Sequence, residues 1–361
     1  MKIKNKNLYY VGGVVRDEIL GLQSFDIDLC YEGNAIEFAQ ELNIIKTNPD
    51  FGTVRVLIEE DEIDIASTRT ETYPRPGHLP IVDKIGCPLE EDLRRRDFTV
   101  NALAKNTISG EIIDYFGGLN DLKNKKLKVL HDKSFIEDPS RIIRGLKFSI
   151  RFGFELDEHT KKLQNEYLEN INYDMSYHRI KKELKEAFNL NNENLYNQFI
   201  KQGIFKLIGE NVSIPEFSSN YICNLNEEFK PTYPYMVFLG LFNLSNFELT
   251  KDEQAIIDSY NKIKSIIPNN DYENYKLFKN LPLESIIMYA STVDYNVATR
   301  FLRELAEIKL EINGNDLEKI GIKQGEIYKE IFNTLLKEKF VNKNMTKNDE
   351  INFVKKNIIL K

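Results

Sequence analysis

After Asp138 the apolar period of this chain changes, and it does not change back. Before that point short runs alternate at period two between turn residues: LYYVGG, DIDLCYEG, TVRVLIEEDEIDIAS and GEIIDYFGG. Alternation with β-branched content predicts strands, and AIEFAQEL and LRRRDFTVNALAKN read as helices between them. Beyond Asp138, SRIIRGLKFSIRF, HTKKLQNEYLENI and HRIKKELKEAFNL set apolar residues three and four apart, the spacing of helices buried on one side. A chain patterned this way folds as α+β: a β-sheet flanked by helices in front, an all-α remainder behind. Breaks near Asn191 and Pro282 divide the remainder.

Composition narrows the choice of function. The chain has no uncharged apolar run of about 18 residues, so no membrane partner is expected. The opening MKIKNKNLYYVGG lacks the apolar stretch and small-residue cleavage site of a secretory signal. Cys30, Cys87 and Cys223 lie far apart without a CxxC pair, and His78, His131, His159 and His178 are scattered. That usage suits a reducing cytoplasm and argues against zinc. The net charge of −7 does not announce a nucleic-acid binder, yet Lys337 to Lys361 carries seven lysines against Glu338, Asp349 and Glu350. KNKKLK at 123–128 and HRIKKELK at 178–185 are further basic patches. They read equally as solvated lysine faces; together they permit a polyanionic partner.

The chemistry concentrates in YYVGGVVRDEILGLQSFDIDLCYEG, residues 9–33. Asp26 and Asp28 stand at i and i+2 of a β-type run, so their side chains leave the same face of the strand. Two carboxylates that close repel unless a cation shares the site, and Mg²⁺ takes one or two carboxylates together with substrate phosphate oxygens. Asp64, in EIDIAS, is placed to offer a third carboxylate from a neighbouring strand. Taken alone, DxD also describes two solvent-facing aspartates on an edge strand. Gly12 and Gly13 precede a helix start at Arg16-Asp17, a turn that presents backbone N–H groups to an anion, or merely a tight turn. Turn, arginine and aspartate pair together meet the needs of nucleotidyl transfer.

In order along residues 9–185, GGVVRDEILG, FDIDLC, FGTVRV, IDIASTRTE, EEDLRRRDFTVNALA, IIDYFGGLNDL, EDPSRIIRGLKFSIRFGFE and HRIKKEL resemble the class II tRNA nucleotidyltransferase and poly(A) polymerase family. The resemblance implies a nucleotidyltransferase head at 1–134, a helical neck at 135–190 that recognises the base, a helical body at 191–282 and a helical tail at 283–361 that binds tRNA. It implies template-independent addition of C and A to the tRNA 3′ end from CTP and ATP with Mg²⁺. By matching position, Asp26 and Asp28 would hold the metal, with Asp64 a catalytic carboxylate of open role. Gly13, Arg16 and Arg96 would contact the nucleotide, Asp138 and Arg141 would read the base, and Arg144 and Lys147 would support it. Lys147 stands where the family usually has Arg and loses the two-pronged donor; His178 stands where Glu is common.

Base reading by such a pair is chemically sound. Cytosine and adenine each present an exocyclic amino donor beside a ring-nitrogen acceptor, which a carboxylate and an arginine match. Uracil and guanine present a carbonyl and a ring N–H instead. Without that company EDPSR is an ordinary helix start, Asp138 capping and Pro139 at the first helical position. YPRPGHLPIVDKIG at 73–86 is a turn-rich connection, which the resemblance makes a mobile element in the change from C to A addition. The His131-Asp132 pair has no further spaced ligands and is expected to be structural. CC-only, A-only or poly(A) addition, and a catalytically silent RNA-binding protein, are the competing functions; oligomeric state is left open.

Overall fold

The structure, a computed structural model, describes residues 4–23 and 27–359 and falls into two compact units. The first comprises residues 1–214 with 243–248, the second 215–242 with 249–361.

The first unit is built on a seven-stranded sheet. Its strands are β1 (Leu8–Val11), β2 (Asp28–Tyr31), β3 (Asn43–Asn48), β4 (Thr53–Ile58) and β5 (Asp61–Ser67). A separate hairpin of β6 (Arg69–Thr72) and β7 (Ile81–Ile85) intervenes before β8 (Leu103–Asn106) and β9 (Ile112–Asp114). The sheet order is β3-β4-β5-β2-β1-β8-β9, and β2 and β5 run parallel while the other neighbours are antiparallel. Alternation divides its faces. Leu8, Leu29, Val54, Val56, Ile63 and Ile65 pack on α2 (Ala35–Phe38) and Ala39. Tyr9, Val11, Cys30 and Ala104 meet Leu89 and Leu93 of α3 (Leu89–Arg94) on the other side. Burying each such aliphatic side chain contributes about 1.5–3 kcal/mol, which fixes the register: a one-residue slip would turn the whole set to water.

Further helices are α1 (Gly13–Ile19), α4 (Gly118–Lys123), α5 (Ser134–Glu137), α6 (Ser140–Phe152), α7 (Glu158–Glu169), α8 (Tyr177–Phe188) and α9 (Glu193–Lys201). Helix α6 ends at Gly153, whose φ of 67° is the left-handed conformation a helix stop requires. It lies against α8, with Ile142, Ile143 and Leu146 buried.

Several elements differ from the sequence reading. TVRVLIEEDEIDIAS is two strands joined at Glu59, which takes φ 60°. LRRRDFTVNALAKN is not one helix: α3 stops at Arg94, a single 3₁₀ turn spans Thr99–Asn101, and Leu103–Asn106 is strand β8. Phe98 between them is extended and fully buried, so tertiary packing overrides the helical pattern. The turn-rich stretch 73–86 includes β7, and residues 73–80 before it are irregular.

The second unit is helical: α10 (Ser219–Phe229), α11 (Pro234–Leu239), α12 (Lys251–Ile263), α13 (Asp271–Phe278), α14 (Leu283–Thr292), α15 (Tyr295–Arg300), α16 (Gly314–Lys319), α17 (Ile327–Val341) and α18 (Lys347–Val354). Ile286, Ile287, Met288 and Tyr289 of α14 are buried among α10, α11, α12 and α15. Ile312, Leu317, Ile331, Leu335, Met345 and Val354 form another core towards its C-terminal end. No described helix is long and apolar enough to cross a membrane.

Candidate active site

Parallel pairing sets Asp28 directly opposite Asp64, and antiparallel pairing sets Asp64 opposite Arg55. Residues paired across strands share a face, so Arg55, Asp64 and Asp28 form one row on β4, β5 and β2. That face is the one α3 covers, and the row lies where the covering opens into a cavity of about 430 Å³. Val11, Thr47, Asn48, Thr53, Lys46, Arg69, Arg95 and Arg96 share in lining it. Arg55 donates to Asp64 from Nε at 2.7 Å and from Nη2 at 2.8 Å, and this fork holds the Asp64 carboxyl below its ordinary range. The pair is half exposed, so its contribution to stability is small. Asp26, the other half of the expected metal pair, lies outside the described residues.

The basic wall is held from behind by Asp92 of α3, which is fully buried. Its Oδ1 accepts from Arg69 N at 3.2 Å and from Arg95 Nε and Nη2 at 3.0 and 2.8 Å, and its Oδ2 from Arg96 Nη2 at 3.2 Å. Burial alone would raise this carboxyl; Arg96 and Arg95 outweigh it and hold the group charged. Arg95 also reaches Glu71 at 3.1 Å. Arg96 Nε is buried with no hydrogen-bond partner. Gly12 turns beneath it at φ 69°.

The expected base readers lie on α6 and the turn before it. Asp138 and Arg141 are about 5% exposed, with Arg141 Nε 3.7 Å from Asp138 Oδ2. Arg141 donates to Ser134 Oγ at 2.7 Å and to the Arg95 carbonyl at 2.8 Å, tying this helix to the wall of the cavity. Helix α6 begins at Ser140, one residue later than expected, and Asp138 Oδ1 accepts from Ser140 N at 3.1 Å. Arg144 binds Asp97 through Nε at 2.7 Å and Glu183 through Nη1 at 3.2 Å. Lys147 reaches Glu183 at 2.9 Å and also Glu186, so a lysine here makes two single ion pairs rather than one fork.

Gly13 opens α1 with a Cβ position in ordinary contact, 3.5 Å from Arg16 Nη2. Arg16 is buried. It donates to Asp17 at 2.8 and 2.7 Å and to Asn101 Oδ1 at 2.6 Å, and stacks 4.5 Å from the Phe152 ring. Burial pushes this guanidinium's pKa down against the pull of Asp17. The structure therefore gathers Asp28, Asp64 and Arg96 at one cavity, leaves Asp138, Arg141, Arg144 and Lys147 outside its lining with Arg141 bonded to the Arg95 carbonyl, and commits Arg16 to internal partners. Lys46, Arg55, Arg69, Arg95, Asp92 and Asp97 were not read from the sequence. Arg55 alternates with Val54 and Val56 and so had a detectable facing; Asp92 and Asp97 are recognisable only through contacts that folding makes.

Among the described residues no group of three or more His, Cys, Asp or Glu is arranged to hold a metal. Carboxylate oxygen at Asp28 beside Asp64 nevertheless fits a hard divalent cation that takes its remaining ligands from phosphate and water.

A family model described as the poly(A) polymerase head domain matches residues 8–128. The A-adding tRNA nucleotidyltransferase of Aquifex aeolicus is 50% identical over 163 residues, 43% of this chain and 20% of that protein. The A-adding tRNA nucleotidyltransferase of Halalkalibacterium halodurans is 28% identical over 359 residues, 90% of this chain and 82% of that protein. The CCA-adding enzyme of Latilactobacillus sakei is 39% identical over 160 residues, 42% of this chain and 39% of that protein. The chain thus spans about a fifth of the first of these relatives. Among solved structures, a CCA-adding enzyme in an apo form aligns with TM-score 0.78 and 27% identity, covering 96% of this chain and 91% of that one. A CCA-adding enzyme with ATP aligns at 0.76 and 26%, covering 95% and 88%. The Thermotoga maritima CCA-adding enzyme complexed with tRNA aligns at 0.73 and 26%, covering 96% and 90%.

Proposed function

We propose that the chain belongs to the class II tRNA nucleotidyltransferase and poly(A) polymerase family, and that it adds nucleotides to the 3′ end of tRNA without a template. The step we assign is addition of the terminal A from ATP. A relative aligned over 90% of this chain is named for that step, and full CCA addition from CTP and ATP contains it. The wider CCA reading is favoured by the solved CCA-adding enzyme that aligns with TM-score 0.78.

One observation carries the proposal: Asp28 and Asp64 share a sheet face at a cavity that Lys46, Arg69, Arg95 and Arg96 also line. In the reaction the tRNA 3′ hydroxyl gives up its proton to solvent as its oxygen bonds the α-phosphorus of ATP, the bond from that phosphorus to the bridging oxygen breaks, and pyrophosphate leaves. The cationic wall binds the triphosphate and offsets the charge that grows on the pyrophosphate. Arg96 Nε gains an acceptor from a phosphate oxygen, removing a desolvation penalty of about 1–3 kcal/mol. Asp26 and Asp28 would hold Mg²⁺; the chemistry it supplies when bound is charge neutralisation on the phosphates and acidification of the attacking hydroxyl. Asp64, fixed by Arg55, keeps a second carboxylate beside Asp28. Asp138 and Arg141 match the pairing edge of A or C, and the second unit, with its exposed lysines Lys337, Lys343, Lys347, Lys355 and Lys356, supplies tRNA contacts.

The test offers purified protein tRNA lacking CCA, ending in C or ending in CC, each with CTP, ATP or both in Mg²⁺. Extension of the CC-ended tRNA by a single A supports the assigned step; growth of all three to CCA establishes the wider reading. Arrest at CC or a run of several A residues would assign one of the sister activities instead. No extension by folded protein leaves a silent RNA-binding protein. Asp28→Ala is expected to lower transfer by at least about a thousandfold while tRNA still binds; wild-type turnover in that variant would remove the carboxylate assignment.

A further inference from the structure

The carboxylate of Asp138 is held by more than its own helix start. Oδ1 accepts from Ser140 N at 3.1 Å and from Ser140 Oγ at 2.5 Å, and Oδ2 accepts from Arg179 Nη2 of α8. An ionised carboxylate offers about four lone-pair positions. Three are taken by these bonds, leaving about one, on Oδ2. Arg141 Nε, 3.7 Å away, is at ion-pair distance and does not fill it.

Arg179 has a second attachment. Its Nη1 donates to the His78 carbonyl at 3.0 Å, at the tip of the β6–β7 hairpin. That tip is fastened on both flanks of the arginine's reach. Gly77 N donates to the Glu137 carbonyl at 3.0 Å, and Ser176 N donates to the Gly77 carbonyl at 2.9 Å. Arg75 clasps Asp174 through Nε at 2.9 Å, and the His78 ring lies 3.3 Å from the same carboxylate. The planar fork of Arg179 therefore spans from the hairpin tip to the one carboxylate that faces the base in the proposed reaction.

We propose that Arg179 is a positioning residue for base choice, fixing the angle of the Asp138 carboxylate so that its one remaining acceptor position meets an exocyclic amino group. The inference rests on the reading of Asp138 and Arg141 as base readers. A carboxylate so held accepts one N–H from A or C and does not swing to the displaced ring N–H of G or U. Loss of Arg179 returns a second acceptor position to Oδ2 and frees the group to turn. A lysine keeps the charge but cannot bond Asp138 and the His78 carbonyl in one plane.

The measurement is kcat/KM for ATP, CTP, GTP and UTP on tRNA ending in CC, with the tRNA Kd, for wild type, Arg179→Ala, Arg179→Lys, Asp138→Ala and the Arg179/Asp138 double alanine variant. Arg179→Ala is expected to reduce the preference for ATP over GTP about tenfold while the tRNA Kd changes less than about twofold. Arg179→Lys is expected to fall between, and serves alone if the alanine variant does not fold. In the Asp138→Ala background, removing Arg179 should change the preference less than about twofold, because the group it positions is gone. An equal loss with all four nucleotides, or additive losses in the double variant, overturns the role of Arg179 and leaves base reading by Asp138 standing. An unchanged preference in Asp138→Ala removes the base-reading assignment itself, and the role of Arg179 with it.

Discussion

Gly12 shows how one backbone angle governs the arginine wall. Its φ of 69° suits glycine, and a Cβ there would lie 2.9 Å from Arg96 Nη1. Gly12→Ala therefore meets two penalties, a left-handed alanine at about 1–2 kcal/mol and displacement of a cavity guanidinium. The expected result is a KM for ATP raised about tenfold with the tRNA Kd unchanged, read by steady-state kinetics beside a thermal melt. A weakened fold with unchanged KM would confine Gly12 to the turn. The doublet GlyGly is legible as a phosphate-type turn, and the family match points to Gly13 as the nucleotide contact; that Gly12 is the one with positive φ follows only from the folded backbone. Arg16 was legible as a cation near the turn. Its commitment to Asn101, 85 residues away, and to the Phe148 and Phe152 rings was not, since no local pattern encodes such partners.

At the scale of elements, Asp97 joins the segment after α3 to α6, and it gives that junction a pH dependence. Burial would raise its carboxyl, but Arg144 and the amide of Asn101 outweigh burial and push it down to about 2. A depressed folded-state pKa contributes stability above the unfolded value near about 4, and that stability is lost as pH falls from about 4 towards 2. The difference corresponds to about 3 kcal/mol. Asp97→Asn should lower stability at pH 7 by about that amount and flatten the loss between pH 5 and pH 2.5, both measured by urea unfolding. Equal acid slopes in variant and wild type would assign the linkage to other carboxylates. The strands around the carboxylates were legible because one face of each is apolar. Strand β3 was not, since all six of its residues are exposed and no alternation marks them. β7 was passed over because Pro80 and Gly86 bracket it with turn signals. LRRRDFTVNALAKN was misread for the opposite reason, its helical spacing overruled by the burial of Phe98 and the pairing of β8 with β1.

For the molecule as a whole, the cavity and the arginines of α6 belong to the first unit, while the second carries its own cores and its own buried charge. Lys339 of α17, 6% exposed, donates to Glu350 Oε1 of α18 at 2.6 Å and to the Met345 carbonyl at 2.8 Å. Glu350 is fully buried, and its Oε2 accepts from the backbone N–H groups of Glu311 and Ile312 at 2.8 and 3.0 Å. One carboxylate thus satisfies a buried ammonium and two backbone donors from a separate segment, locking α17, α18 and residues 311–312 around Leu317, Ile331 and Leu335. Removing it strands the two backbone donors and leaves the Lys339 ammonium only the Met345 carbonyl, and breaking a buried pair in this way costs about 3–5 kcal/mol. Because those partners all lie within the second unit, the loss should be local. Glu350→Ala is expected to speed hydrogen exchange of amides in residues 310–354 while those of β1, β2 and β5 exchange as in wild type. ATP binding to the first unit should persist and tRNA affinity should fall, since only the second unit has loosened. Faster exchange throughout β1, β2 and β5 would instead show that the two units unfold as one.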